Sequence, residues 1–216
     1  MSSYTISQEQ SDLLISIQQF ILNNNDKMFE NKLIRDIILF KDAGYNINDK
    51  IRYNKLEQLL DLDREERWTP LQIAIIYIFR YQSDNYNIIK ILLDNGSNIN
   101  ILDKKDNSIL NGCVMSLNYN LLEYLLNNTN IDINIKNDDN RNAFELCEYI
   151  QKHYLEMTGI HDYKTHILDT GFMTENELKD ILKQMINILY KKTIEKDLNY
   201  WGLNKLPNTL INNMIK

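Results

Sequence analysis

Apolar residues recur along this chain with the spacing of helices. Residues 10–23 predict a first helix with Leu13, Leu14, Ile17, Phe20 and Ile21 on one face. The polar break Asn23-Asn24-Asn25-Asp26 ends it, and a second helix follows over about 28–41. At Thr69-Pro70-Leu71 a capping threonine and a proline at the first helical position open a third helix, with Leu71, Ala74 and Ile75 on its stripe. A fourth carries Ile88, Ile89, Ile91 and Leu92 and ends at Gly96, which can take the left-handed conformation of a helix terminus. Thr174-Glu175-Asn176-Glu177 is a capping box ahead of a stripe of Leu178, Ile181, Leu182, Met185, Ile186 and Leu189. Lys191, Lys192 and Lys196 are expected to complement the C-terminal dipole of that helix.

These helices come in copies. Thr69, Ser108 and Asn142 occupy one position at spacings of 39 and 34 residues, and the turn endings Asn100 and Asn134 are also 34 apart. The segment Ala43-Gly44-Tyr45-Asn46-Ile47-Asn48 ends an earlier copy as Gly96 to Asn100 ends a later one. Thr69-Pro70-Leu71-Gln72-Ile73-Ala74 resembles the T-P-L-H-x-A core of ankyrin repeats, with Gln72 at the histidine position. Ile89-x-x-Leu92-Leu93-x-x-Gly96 and Leu122-x-x-Leu125-Leu126 are similar to the second-helix signature of that family. The resemblance implies an all-α solenoid of stacked helix-turn-helix repeats, in which each unit buries its apolar face only against its neighbours. The small residues Ala74, Cys113 and Cys147 would stand where neighbouring first helices press together.

The expected organisation is a repeat domain over 1–155 and a C-terminal helical extension or cap over 156–216. The repeat domain divides into a degenerate N-terminal repeat 10–48, an insertion 49–67, repeats 68–100 and 103–134, and a partial repeat 138–155. Within the insertion, 55–62 can form one or two helical turns, while 158–172 reads as irregular.

Composition narrows the function. The net charge is −6, and residues 149–216 carry nine Lys against eight Asp and Glu, so residues 1–148 hold −7. That balance argues against nucleic acid and suits a basic protein partner. Cys113 and Cys147 sit one repeat apart, too far for a disulfide between stacked helices, and read as small buried thiols. Unpaired cysteines and the polar start MSSYTISQEQ point to the cytoplasm, and no apolar run approaches a membrane span. A monomer is expected. No cofactor is implied: six glycines leave no phosphate-cradling loop, and no nucleophile elbow or zinc spacing occurs.

The reading is therefore a non-catalytic protein-binding module, of the sort a microbial immunity protein or a viral or microbial effector would use. The family resemblance implies a concave face made of finger turns and first helices. Carried over by position, the finger candidates are Tyr53, Arg67, Trp68, Leu102, Asp103, Lys104, Lys105, Lys136, Asp138, Asp139 and Arg141. The first-helix candidates are Gln72, Tyr77, Arg80, Asn111 and Met115. Two alternatives stand beside it. One is a small metal site or metal-dependent enzyme over 153–169, built on His153, His161, His166, Asp162 and Asp169. The other is an adaptor, because Leu206-Pro207-x-x-Leu210-x-x-x-Met214 resembles the opening of an F-box.

Overall fold

A computed structural model describes residues 6–23, 26–52, 67–153 and 174–200. Tyr53, the 55–62 and 158–172 segments, His161, Asp162, His166, Asp169 and the F-box-like 206–214 stretch lie outside the described residues. The chain divides into two compact units, 1–101 and 102–216.

In the first unit, α1 (Gln8–Leu22) and α2 (Lys27–Asp42) form one helix pair, and α3 (Pro70–Tyr81) and α4 (Asn87–Asp94) form a second. Side chains cap three of these starts: Ser7 with Gln10 for α1, Asp26 for α2, and Thr69 with Gln72 for α3. The first helices α1 and α3 pack on each other, and each packs on its own second helix. Leu13, Leu14, Ile17, Phe20, Leu33, Ile37, Phe40, Leu71, Ile73, Ala74, Ile88, Ile89 and Leu92 are among the buried apolar positions of these helices. Two polar links cross the α1–α2 seam among the described residues, one of them Lys32 Nζ donating to Gln19 Oε1 at 2.6 Å. In the other, Ser16 Oγ donates to the buried carboxylate of Asp36, which also accepts from Arg35 Nε and Nη2 at 3.1 and 3.0 Å.

Both second helices end alike. Gly44 and Gly96 take φ of +90° and +94°. Tyr45 and Ser97 donate backward to the carbonyls of Phe40 and Leu92, as in a Schellman cap. The two loops are then stitched by one side chain: Asn48 Nδ2 donates to Gly96 O at 2.9 Å, and Asn48 Oδ1 accepts from the Asn98 N–H at 2.7 Å. Between these pairs, β1 (Ile51–Arg52) and β2 (Arg67–Trp68) form a short antiparallel ladder with Ile51 opposite Trp68 and Arg52 opposite Arg67.

The second unit holds α5 (Ile109–Met115), α6 (Tyr119–Asn128), α7 (Ala143–His153) and α8 (Glu175–Tyr200). The capping box recurs at Ser108 with Asn111, Asn142 with Glu145 and Thr174 with Glu177. First helices α5 and α7 pack together, and α8 runs along α7 and α6. Helix α8 thus stands to α7 as α6 stands to α5, in the place of a second helix. It buries Leu178, Leu182, Met185 and Leu189. The expected dipole role of its lysines is corrected: α8 continues to Tyr200 with no basic residue in its last turn. Lys192 instead pairs with Glu195 at 3.0 Å, and Lys196 reaches Asp132 at 3.1 Å.

Two of the first helices end on a left-handed residue that is not glycine: Gln82 at φ +48° after α3 and Leu117 at φ +53° after α5. Such a conformation costs an L-residue about 1–2 kcal/mol. Gln82 is exposed, so its side chain has little packing to lose. Gln82→Gly should therefore raise the urea-unfolding free energy by about 1 kcal/mol, after the entropy of a freer unfolded chain is offset.

Candidate functional site

Two loops of the second unit, 103–107 and 137–141, share one construction. Asp103 N–H donates to Asn107 O at 3.1 Å and Asn137 N–H to Arg141 O at 3.0 Å. Each loop turns through one left-handed residue, Asp106 at φ +55° and Asn140 at φ +58°. The side chain at the first position holds each loop closed. Asp103 Oδ1 accepts from the N–H groups of Lys105 and Asn107, both at 2.8 Å, and Asn137 Oδ1 accepts from the Arg141 N–H at 3.0 Å. In the first unit the paired residues Ile51 and Trp68 stand in the same places relative to the repeat.

The two loops are also joined in series. Asp138 N–H donates to Lys105 O at 3.1 Å, and Asn137 Nδ2 donates to Asn107 Oδ1 at 3.0 Å. From below, Asn111 Nδ2 of α5 reaches Arg141 O at 3.3 Å. Lys104, Lys105, Asp106, Lys136, Asp138 and Asp139 are left exposed at the tips, with Arg141 half-buried.

The charges act on one another. Partial desolvation, then a hydrogen bond with Asp106 and the fields of Asp106, Asp103 and Asp139, holds the Asp138 carboxyl above the usual carboxylate range. Glu145 is shifted the opposite way. Its bond from Lys136 Nζ at 2.8 Å, then its bond from the Asn142 N–H, keeps its pKa below the usual value. Arg141 Nη1 donates to Asp139 Oδ2 at 3.1 Å, and its guanidinium carbon lies 3.8 Å from the centroid of the Tyr149 ring on α7. The His153 ring is 4.6 Å from Tyr149, centroid to centroid.

A family model described as Ankyrin repeats (3 copies) matches residues 17–137, more than half of the chain. The chain belongs to the ankyrin-repeat family. No curated protein matches it. Ankyrin repeats are in general protein-interaction modules and typically non-catalytic. In those terms 103–107 and 137–141 are finger turns, and the Ile51–Trp68 ladder is the base of an earlier finger.

The sequence-predicted residues of this ankyrin chain fall into three groups. Arg67, Arg80, Lys104, Lys105, Lys136, Asp138 and Asp139 are exposed, while Trp68, Leu102, Asp103, Met115 and Arg141 are half-buried. Gln72, Tyr77 and Asn111 are buried. Gln72 and Asn111 are the inner partners of capping boxes, accepting from the N–H groups of Thr69 and Ser108. The Tyr77 ring stacks on that of Tyr81 at 5.6 Å. Tyr53 lies outside the described residues.

Sequence reasoning missed Tyr149 and the cross-linking Asn107–Asn137 pair, and of these only the two loops of the pair had a signal, in the 34-residue offset. It aligns Asp103 with Asn137 and Asn107 with Arg141. Among the described residues, no cluster of three or more His, Cys, Asp or Glu could hold a metal ion, and no helix is long and apolar enough to cross a membrane.

The two thiols are free and buried. Desolvation, and then the charge of Glu148, pushes Cys147 up to about 12, and burial pushes Cys113 up as well. Since only the thiolate attacks, a disulfide reagent at pH 8 should titrate no thiol in the native protein and both after denaturation.

Glu145 makes a prediction in pH. Its folded pKa lies below the unfolded 4.5, so its contribution is full above that value and is lost as pH falls through the folded pKa. Glu145→Gln keeps a capping amide oxygen but removes the charge. It should lower stability by a few tenths of a kcal/mol at pH 7, because the pair is half-exposed, and the deficit should shrink as pH falls below 4.5.

Proposed function

We propose that this protein binds a protein partner through finger turns, with the tips Lys104, Lys105, Asp138 and Asp139 and the half-buried Arg141 as contacting side chains of the second unit, and Arg67 and Trp68 as the candidates in the first unit's own finger. The observation that carries this reading is the serial locking of fingers 103–107 and 137–141 through Asp138 N–H to Lys105 O and Asn137 to Asn107. Loops held by backbone bonds present charged side chains in a set order, so a partner orders little on binding. Half-buried Trp68 beside exposed Arg67 offers the residue types that dominate interface hot spots. The charge of −7 over residues 1–148 favours a basic partner through long-range steering. The exposed Arg80 and half-buried Leu102, Asp103 and Met115 border this surface within their own units.

The test is capture with tagged full-length protein from its native lysate, followed by titration calorimetry on the partner recovered. Trp68→Ala and Asp138→Lys should each weaken that complex by about tenfold or more while leaving the circular dichroism unchanged. A partner that binds both folded variants as tightly as the wild type would remove the finger surface from the reading.

A further inference from the structure

Arg141 is held at every backbone polar atom and on two sides of its guanidinium. Its N–H donates to Asn137 Oδ1 at 3.0 Å, and its carbonyl accepts from Asn137 N–H at 3.0 Å and from Asn111 Nδ2 at 3.3 Å. Tyr149 lies beneath the guanidinium plane at 3.8 Å and Asp139 takes Nη1 at 3.1 Å. Among the described residues, Nε and Nη2 have no hydrogen-bond partner, although 28% of the side chain remains accessible. The other arginine with a comparable pairing is spent: both Nε and Nη2 of Arg35 are bonded to Asp36.

We infer that Arg141, clamped on Tyr149, is a carboxylate-reading fork that receives one Asp or Glu side chain of the partner segment. This inference rests on the protein-binding reading proposed above. An arginine offers its donors in parallel pairs that match the two oxygens of a carboxylate. Much of the cost of such a pair is ordering a long side chain, and the Tyr149 stack has already met it. Asp139 cannot satisfy the fork, since it takes only Nη1 and its own side chain is 69% exposed. The neighbouring Asp106, Asp138 and Asp139 set the rest of the motif. A partner carboxylate entering here is favoured when cationic residues flank it, which agrees with a basic partner carrying one acidic anchor.

The test pans a displayed library of random peptides on the full-length protein and measures the enriched sequences by calorimetry. The expected result is a consensus with one Asp or Glu at a fixed place. Arg141→Lys should weaken such a peptide about tenfold, the scale of one bidentate charge-assisted pair, although the net charge is unchanged. Changing that Asp or Glu to its amide should cost the same, and Arg141→Lys should then cost little more, as a coupled pair requires. Tyr149→Phe keeps the ring and should bind as the wild type does, whereas Tyr149→Leu should bind as weakly as Arg141→Lys. A peptide that depends on Asp138 but has no acidic residue, or that ignores Arg141→Lys, overturns the carboxylate fork and leaves the binding surface standing. A library that yields no binder at all counts against both.

Discussion

A pair of short helices cannot bury its own apolar faces, and every other feature of this chain follows from that constraint. Helix α4 has eight residues and α5 has seven, well below the about 12–15 at which an isolated helix becomes even marginal in water. They exist because each first helix is pressed against another, α1 on α3 and α5 on α7. Ala74, Cys113 and Cys147, the small residues at one repeat position of three first helices, are wholly buried. The same pressure removes Gln72, Tyr77 and Asn111 from the surface. A first helix that must stack has few side chains to spare for a partner, so the exposed chemistry moves to the loops.

Loops in turn must satisfy their backbone groups without a ladder. Here asparagine and aspartate do so. Asn48 ties its loop to the next one with both ends of its amide, at Gly96 and Asn98, and Asn137 closes its own loop with Oδ1 while its Nδ2 reaches Asn107 of the loop before. An amide carries a donor and an acceptor on a short stem, so a single residue can bond its own turn and the next one. The abundance of asparagine thus has a physical use in this structure. At the turn positions those side chains do the work that a longer sheet would do elsewhere.

This division of labour decides what could be read in advance. Helix starts were legible because Thr69, Ser108, Asn142 and Thr174 cap by local rules, and the repeat register was legible from their spacing. The burial of Gln72 was also within reach, because Thr69-x-x-Gln72 is itself a capping box, yet family position suggested a surface role. The place of α8 was hidden by residues 154–173, which interrupt the spacing between α7 and its second helix. Tyr149 escaped notice because an aromatic residue in a helix reads as core until its neighbour is known. That neighbour, Arg141, approaches from a loop eight residues earlier, and helical periodicity carries no record of it.

The finger surface combines two electrostatic scales that need not agree. At long range the chain up to residue 148 is acidic, with a charge of −7, and in solution that field brings basic molecules closer whatever their sequence. At contact, the individual bonds decide. Asp138 sits among Asp103, Asp106 and Asp139 with its proton affinity raised, so a cation placed there relieves a repulsion already present. Arg141 lies next to this group, with one donor given to Asp139 and its plane occupied by Tyr149. A uniformly basic ligand would satisfy the first group and leave the arginine fork facing like charge. A ligand of mixed charge in the right order satisfies both, which is how a surface with weak individual charges can reject most of what its net field attracts.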